Sequence, residues 1–177
     1  MILKEGDIGL SGGNSLVQRC IKFFTNSQFS HSFTVIKSCG TFNAFETTST
    51  IVSLTPVDRK LYEENYVEIW RMVDNIDIQS VLHEMFIFHS GHWYGYLSYV
   101  WFIYRWICKK FGYKTNKMWS WCINGITCTE LTIYPISIIY PELFTEYDVN
   151  TITPQDLRDI MVNNPDKFLF VGWYVKR

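Results

Sequence analysis

Apolar and polar residues alternate on both sides of a turn in the segment 31–47, and this pattern predicts a β-hairpin. The turn is expected at Ser38-Cys39, which places His31 directly opposite Glu46 on one face, because side chains alternate with a period of two. That face is otherwise apolar, and the other pairs expected on it are Phe33 with Ala44 and Val35 with Phe42. The hairpin therefore brings an imidazole and a carboxylate together on an apolar surface.

A histidine and a glutamate on an apolar surface cost free energy unless each satisfies the other. The simplest interpretation is a core histidine with a hydrogen-bonded partner. The same pairing also orients the imidazole of a catalytic base, which then needs a nucleophile. The chain contains five cysteines that could supply one.

The remaining pattern predicts an α+β domain with an antiparallel sheet. Helices are predicted from Ser15, over 78–89, over 96–111 and from Thr153. Further strands are predicted over 8–10, 51–54, 66–72 and 167–175, with a polar connection containing Pro56 before the third of these. No linker, repeat or low-complexity segment divides the chain, so residues 1–177 are expected to form a single domain.

Composition narrows the class of protein. Hydrophobic residues make up 47% and charged residues 19%, which favours a globular chain with a substantial core. The net charge of −1 disfavours nucleic-acid binding through a broad basic surface. The N-terminus lacks the apolar run of a secretory signal, and the scattered cysteines do not suggest a disulfide framework. We therefore expect a cytoplasmic protein, or a viral protein in the cytoplasm of its host.

Cys128 is the best placed of the cysteines to act as a nucleophile. Three others fit structural positions, in the first helix, at the hairpin tip and in the aromatic helix: Cys20, Cys39 and Cys108. Thr127 can cap a helix that begins at Cys128, where backbone N–H groups and the helix dipole favour a thiolate. The same N–H groups could receive the oxyanion of an acyl-transfer intermediate. Cys122 remains the alternative.

Several short motifs occur in a fixed order along the chain: Gly6-Asp7-Ile8, Phe29-Ser30-His31, Glu46, Cys128-Thr129-Glu130-Leu131 and Thr153-Pro154-Gln155-Asp156-Leu157. Together they resemble the circularly permuted papain-like hydrolases, the YiiX-like branch of the NlpC-type superfamily, which also has poxvirus members. In ordinary papain-like enzymes the cysteine precedes the histidine, whereas here the order is histidine, acid, cysteine, as permutation would give. The resemblance implies a permuted papain-like (NlpC-type) fold, with an antiparallel sheet packed with helices.

By that resemblance Cys128 is the nucleophile, His31 the general base and then acid, and Glu46 the residue that orients the imidazole. It implies a peptidase or amidase that cleaves an amide or ester bond through a thioester, with no cofactor. A lipid acyl hydrolase or acyltransferase ranks second, because the Asn-Cys-Glu-His-Phe signature of the lecithin:retinol-type branch is absent. A different class of function is also open: a non-catalytic module on the same fold that binds lipid or protein. Pro135 departs from the family pattern and predicts a short or kinked helix after Cys128.

The aromatic segment 96–108 is too short and too interrupted, by Ser98 and Arg105, for a transmembrane helix. We expect a buried helix packed on the sheet. The alternative is a membrane-surface contact, because exposed aromatic residues next to Lys109-Lys110 suit a bilayer interface.

The other histidines do not predict a metal site. His83, His89 and His92 match no standard zinc spacing with Cys108 or Cys122, so no metal is expected. Tyr94 and Tyr96 fit a pocket wall and ordinary packing equally well. The substrate is expected to be a peptide, an amide or a lipid ester, and nothing in the pattern fixes the oligomeric state.

Overall fold

A computed structural model describes residues 2–48, 50–73, 78–113, 115, 117–123, 125–145 and 147–176. Within these residues six strands form one antiparallel sheet: β1 (Ile8–Gly12), β2 (His31–Ser38), β3 (Thr41–Thr47), β4 (Val52–Pro56), β5 (Tyr66–Met72) and β6 (Phe168–Val175). The strand order is β4-β3-β2-β1-β5-β6. The helices of the described residues are α1 (Leu16–Thr25), α2 (Val57–Glu63), α3 (Ile78–His89), α4 (Leu97–Lys110), α5 (Cys128–Ile139) and α6 (Pro154–Asn163), with short 3-10 helices at Ser120–Cys122, Pro141–Phe144 and Val149–Thr151.

The predicted α+β class and antiparallel sheet are confirmed, and β5 and α3 have the predicted bounds. Helices cover both faces of the sheet. On one face α2 packs Val57 and Leu61 onto Phe33 and Ile69. On the other face α3, α5 and α6 cover apolar residues of the strands, including Ile8, Leu10, Ile36 and Phe45. The core therefore lies in two layers, on either side of the sheet.

The hairpin of β2 and β3 is paired two residues away from the predicted register. Its turn lies one residue later, at Cys39-Gly40, so that Ser38 pairs with Thr41. Both turn residues have positive φ, 50° and 80°, which is the type I′ geometry that matches strand twist. A shift of two residues keeps every side chain on its face. His31 and Glu46 therefore still share a face, but as diagonal neighbours and not as a directly opposed pair. The predicted pairs are replaced by others, including Val35 with Ala44 and Lys37 with Phe42.

The first helix begins as predicted but does not contribute to the core. Ser15 and Gln18 form a capping box at the start of α1. No residue of α1 is buried, and the prediction of Cys20 as a core residue is wrong because its side chain is exposed. An amphipathic pattern identified the helix correctly, but it did not show that the apolar side would face outwards.

The prediction that the aromatic helix packs on the sheet is also wrong. The main neighbours of α4 are α1 and the 3-10 helix Ser120–Cys122. It buries Trp101 and Phe102 in a small separate core with Met118. None of the helices in the described part of the chain has the length and apolar character needed to cross a bilayer.

Two other segments differ from expectation. The polar connection around Pro56 contains α2, which the sequence pattern did not predict. Of the two alternatives predicted for the helix that contains Pro135, a short helix is wrong, since α5 runs for 12 residues and continues for a full turn beyond the proline; a kink stays a prediction. Buried residues such as Leu131 and Ile136 anchor α5 on the sheet on both sides of that position.

The Cys39-Gly40 turn gives a test of the hairpin. Gly40→Ala should lower the free energy of unfolding by about 1 kcal/mol, because its φ of 80° disfavours a Cβ. No atom lies within 4 Å of the Cβ position, so the cost is that of the backbone conformation alone. Urea unfolding measures the change.

Cys39→Asn and Cys39→Val form a matched pair at the other turn position. Asparagine should stabilise the protein, because Asn-Gly is a favoured type I′ pair, and valine should destabilise it. The observed turn would be contradicted if the two variants had equal stability and Gly40→Ala had no effect.

Candidate active site

The first turn of α5 holds the thiol of Cys128. The Thr127 side chain accepts a hydrogen bond from the Glu130 N–H at 3.2 Å, and the Glu130 carboxylate accepts one from the Thr127 N–H at 3.4 Å. This capping box starts the helix at Cys128. The helix also bonds to β2, since Thr132 Oγ1 donates to Ser32 Oγ at 3.1 Å. Local sequence and packing on β2 together fix the position of the thiol.

His31 and Glu46 form a buried pair at the adjacent strand ends. His31 Nε2 lies 2.5 Å from Glu46 Oε2, and the two side chains are 13% and 2% exposed. The imidazole also interacts with the Cys128 thiol, since their mutual charge and hydrogen-bonding interaction raises the pKa of His31 and lowers the pKa of Cys128. The structure thus brings together the three residues singled out in the sequence, with His31 between the carboxylate and the sulfur.

The environment moves the pKa values of the thiol and the imidazole in opposite directions. Burial raises the pKa of Cys128, but the His31 charge and hydrogen bonds from His31, the Ser32 backbone and Thr129 lower it to about 7. Burial and the charge of Lys60 lower the pKa of His31, but the Cys128 charge and hydrogen bonds to Cys128 and Glu46 raise it to about 9. Between these values the pair is a thiolate and an imidazolium.

A lysine that sequence analysis did not identify completes the network. Lys60 Nζ lies 2.7 Å from Glu46 Oε2 and 3.3 Å from Glu64 Oε1. The Gln18 amide donates to both oxygens of Glu64, at 3.2 and 3.1 Å. Burial raises the pKa of Glu46, but His31 and Lys60 outweigh it and hold that pKa well below its usual range. Glu46 is therefore an ionised partner for the imidazole at neutral pH.

A cleft of about 630 Å³ opens beside His31 and Glu46. Its walls come from α1, α2, β3 and the start of α4, and they include Gln18, Lys60, Tyr96 and Tyr99. Cys128 lines a much smaller adjoining cavity of about 20 Å³. The two cavities share the side chains of Ile21, Ser30, Tyr94 and Tyr99. The cleft and the cavity of Cys128 therefore adjoin at these four residues.

Tyr94 lines the cavity of Cys128, and its phenol interacts with the thiol strongly enough for Cys128 to raise the Tyr94 pKa. A short hydrogen bond joins the phenol to the Tyr99 hydroxyl. Burial and the Cys128 charge raise the pKa of Tyr94 well above its ordinary value, so the phenol keeps its proton. Tyr94 therefore places a neutral O–H donor next to the sulfur.

The other cysteines and histidines lie elsewhere. Cys122, the alternative nucleophile, is fully buried against Trp101 and Phe102, and burial raises its pKa. The His89 ring contacts the rings of His92 and Tyr134. Among the described residues, no three histidine, cysteine or acidic side chains form a group that could hold a metal ion.

No protein-family model matches the sequence, and no curated protein sequence is significantly similar to it. Among solved structures, the chain is similar to the crystal structure of the metalloprotein YiiX from Escherichia coli O157:H7. The TM-score is 0.48 at 16% sequence identity, over 64% of this chain and 69% of that chain. Function is therefore inferred from the residues of this chain.

Proposed function

We propose that the protein is a cysteine hydrolase that cleaves an amide or ester bond through a thioester acyl-enzyme. The observation that carries the proposal is His31, which is largely buried, lies 2.5 Å from the Glu46 carboxylate and is close enough to the Cys128 thiol for each group to shift the pKa of the other. Nucleophile, base and orienting acid in mutual contact are the arrangement that covalent acyl transfer requires. The proposal includes a permuted papain-like fold, in which histidine and acid precede the cysteine.

The reaction begins with the thiolate of Cys128. Its sulfur attacks the substrate carbonyl, the C–S bond forms, and the carbonyl electron pair moves onto oxygen. When the tetrahedral intermediate collapses, the bond to the leaving amine or alcohol breaks, and the His31 imidazolium donates its proton to that group. Neutral His31 then takes a proton from water, the hydroxide attacks the thioester, and the acid product and the thiolate are released.

Two kinds of donor are available to the oxyanion. The first turn of a helix leaves N–H groups without intrahelical partners, and Cys128 is the first residue of α5. The Tyr94 phenol adds a protonated O–H on the sulfur itself. The helix N–H groups are positioned before substrate arrives, which is the condition for electrostatic stabilisation of the intermediate, whereas the Tyr94 phenol can serve only where it stays beside the sulfur when the acyl group enters.

The cleft sets limits on the substrate. Its volume suits a short segment of substrate, and its wall combines carboxylates and cations with tyrosine rings. Amide bonds are our first choice because the motif order resembles that of peptidases and amidases. The thiol is only 5% exposed, so the acyl group must displace Tyr94 or Tyr99 to reach it.

Acyl-enzyme formation tests the proposal directly. With p-nitrophenyl acetate as the probe, intact-protein and peptide mass spectrometry should find one acetyl group, on Cys128, that hydroxylamine removes. Cys128→Ser should abolish this acetylation while circular dichroism and unfolding stay unchanged. Cys20→Ser is the matched control, because Cys20 is exposed and lies on α1. Acetylation spread over several residues, or retained in Cys128→Ser, would sink the proposal.

The ionisation of the thiol can be followed separately by iodoacetamide labelling across pH. The labelling rate of Cys128 is the difference between the rates of the wild type and Cys128→Ser. This rate should rise with pH around a midpoint near 7, because the His31 charge and hydrogen bonds outweigh the effect of burial on the Cys128 pKa. His31→Ala should raise the pKa of the Cys128 thiol to at least its ordinary value of about 8.5. The rate of Cys128 labelling at pH 7 should then fall about 15-fold. A midpoint that His31→Ala leaves in place would contradict the ion pair.

Lys60 is expected to act as a positioning residue through Glu46. Burial and the Lys60 charge both lower the pKa of His31, so Lys60→Met should move the His31 midpoint above about 9. NMR titration of the histidine ring signals measures this midpoint, with His31→Ala as the assignment control. Lys60→Arg should restore the original value.

Arg59→Met is the matched control for Lys60→Met. Arg59 is the neighbouring cation on α2, and its side chain is 69% exposed and paired with exposed Glu63. The variant Arg59→Met should leave the titration midpoint of His31 unchanged. A purely structural role for Lys60 would instead give loss of stability with no movement of that midpoint.

A further inference from the structure

Helix α4 carries two apolar faces, of which only one is buried. The buried face contains Ser98, Trp101 and Phe102. On the opposite side an exposed apolar stripe recurs at helical spacing: Tyr96, Val100, Ile103, Tyr104, Ile107 and Phe111. Each of these side chains is at least 37% exposed. A continuous apolar stripe open to water is uncommon on a soluble surface and points to a binding role.

Helix α1 extends this apolar surface. Leu16, Val17 and Phe23 are between 61% and 76% exposed. The Phe23 ring lies 5.3 Å from the ring of Trp106, so the two helices meet at aromatic side chains. We call the exposed apolar residues of both helices the α1–α4 face: Leu16, Val17, Phe23, Tyr96, Val100, Ile103, Tyr104, Ile107 and Phe111.

Every charged residue within α1 and α4 is basic. Acidic side chains that adjoin them come from α6, where Asp156 pairs with Arg105 and Asp159 lies beside Phe23 and Lys110. Helices α1 and α4 contain five of the sixteen basic residues of the chain and none of its seventeen acidic residues. Arg19, Lys109 and Lys110 are exposed, and Lys110 Nζ lies 4.7 Å above the Trp106 ring. Because the whole chain has a net charge of −1, this positive charge is a local feature.

The α1–α4 face also reaches the cleft. Val17 and Tyr96, near the starts of the two helices, line both the face and the cleft beside His31. A partner that covers the face would therefore lie at the entrance to the site.

We propose that the α1–α4 face binds the surface of a bilayer that contains anionic phospholipids. Exposed aromatic and aliphatic side chains flanked by lysine and arginine enter the interface between headgroups and acyl chains, where the cations meet lipid phosphates. A second copy of this chain is a poorer occupant, because a twofold contact would bring like-charged Arg19, Lys109 and Lys110 side chains towards each other. The inference does not depend on the hydrolase proposal, since it uses no property of Cys128.

Vesicle flotation tests the inference, using phosphatidylcholine vesicles with and without phosphatidylglycerol. The wild-type protein should float with the phosphatidylglycerol vesicles and bind pure phosphatidylcholine far more weakly. Ile103→Ser/Ile107→Ser should lower the partition coefficient about tenfold or more, because both side chains leave the interface. Lys109→Glu/Lys110→Glu should remove the preference for phosphatidylglycerol, and so should high salt.

Ile87→Ser/Phe88→Ser is the matched control, because these residues are exposed apolar side chains on α3, outside the α1–α4 face. It should bind vesicles as the wild type does. Cys128→Ser should bind equally well, and Ile103→Ser/Ile107→Ser should keep the Cys128 labelling midpoint, which separates this inference from the hydrolase proposal.

Three results would overturn it. The first is no binding of the wild type to either kind of vesicle. The second is equal binding by the wild type and Ile103→Ser/Ile107→Ser. The third is a concentration-dependent dimer in analytical ultracentrifugation that Ile103→Ser/Ile107→Ser converts to a monomer, which would assign the face to a protein interface.

Discussion

The Glu46 carboxylate is the group on which the candidate site depends. A carboxylate that is 2% exposed is tolerated only with compensating charge, and Glu46 has two such partners, His31 and Lys60. Those partners come from β2 and α2, and the contact from Lys60 through Glu64 to Gln18 adds α1. The negative charge of Glu46 on β3 thus holds together four elements: β2, β3, α1 and α2. The same charge orients the imidazole. Stability of this region and the proposed catalysis would therefore have a common physical origin.

Sequence reasoning singled out the histidine, the acid and the cysteine because each choice depends on local rules. His31 and Glu46 share a face in any register that differs by an even number of residues, so an error of two did not separate them. That error arose because Cys39 adopts a positive φ, which is uncommon for cysteine and shifts the turn by one residue. Thr127 and Glu130 mark the start of α5 within four residues of sequence.

Residues placed by tertiary structure were harder to predict. Lys60 lies on a helix of seven residues with only Val57 and Leu61 packed on the sheet, so its segment resembles a polar connection. Its i,i+4 spacing to Glu64 was the available signal for a helix. Helical periodicity identified α1 and α4, but it cannot distinguish an apolar stripe that faces a core from one that faces water. This is why Cys20 and the aromatic helix were assigned to the interior.

Helix α4 links the two proposals physically. Its outer side presents the exposed stripe, and its cleft side presents Tyr99, whose hydroxyl bonds the Tyr94 phenol that covers the thiol. Because Cys128 is almost fully buried, the proposed reaction requires Tyr94 or Tyr99 to be displaced before substrate reaches the sulfur. A surface that engages the outer stripe acts on the same helix that positions Tyr99. Burial of the thiol protects it in the free protein, and opening at a bound surface would restrict the reactive site to the place where substrate is presented.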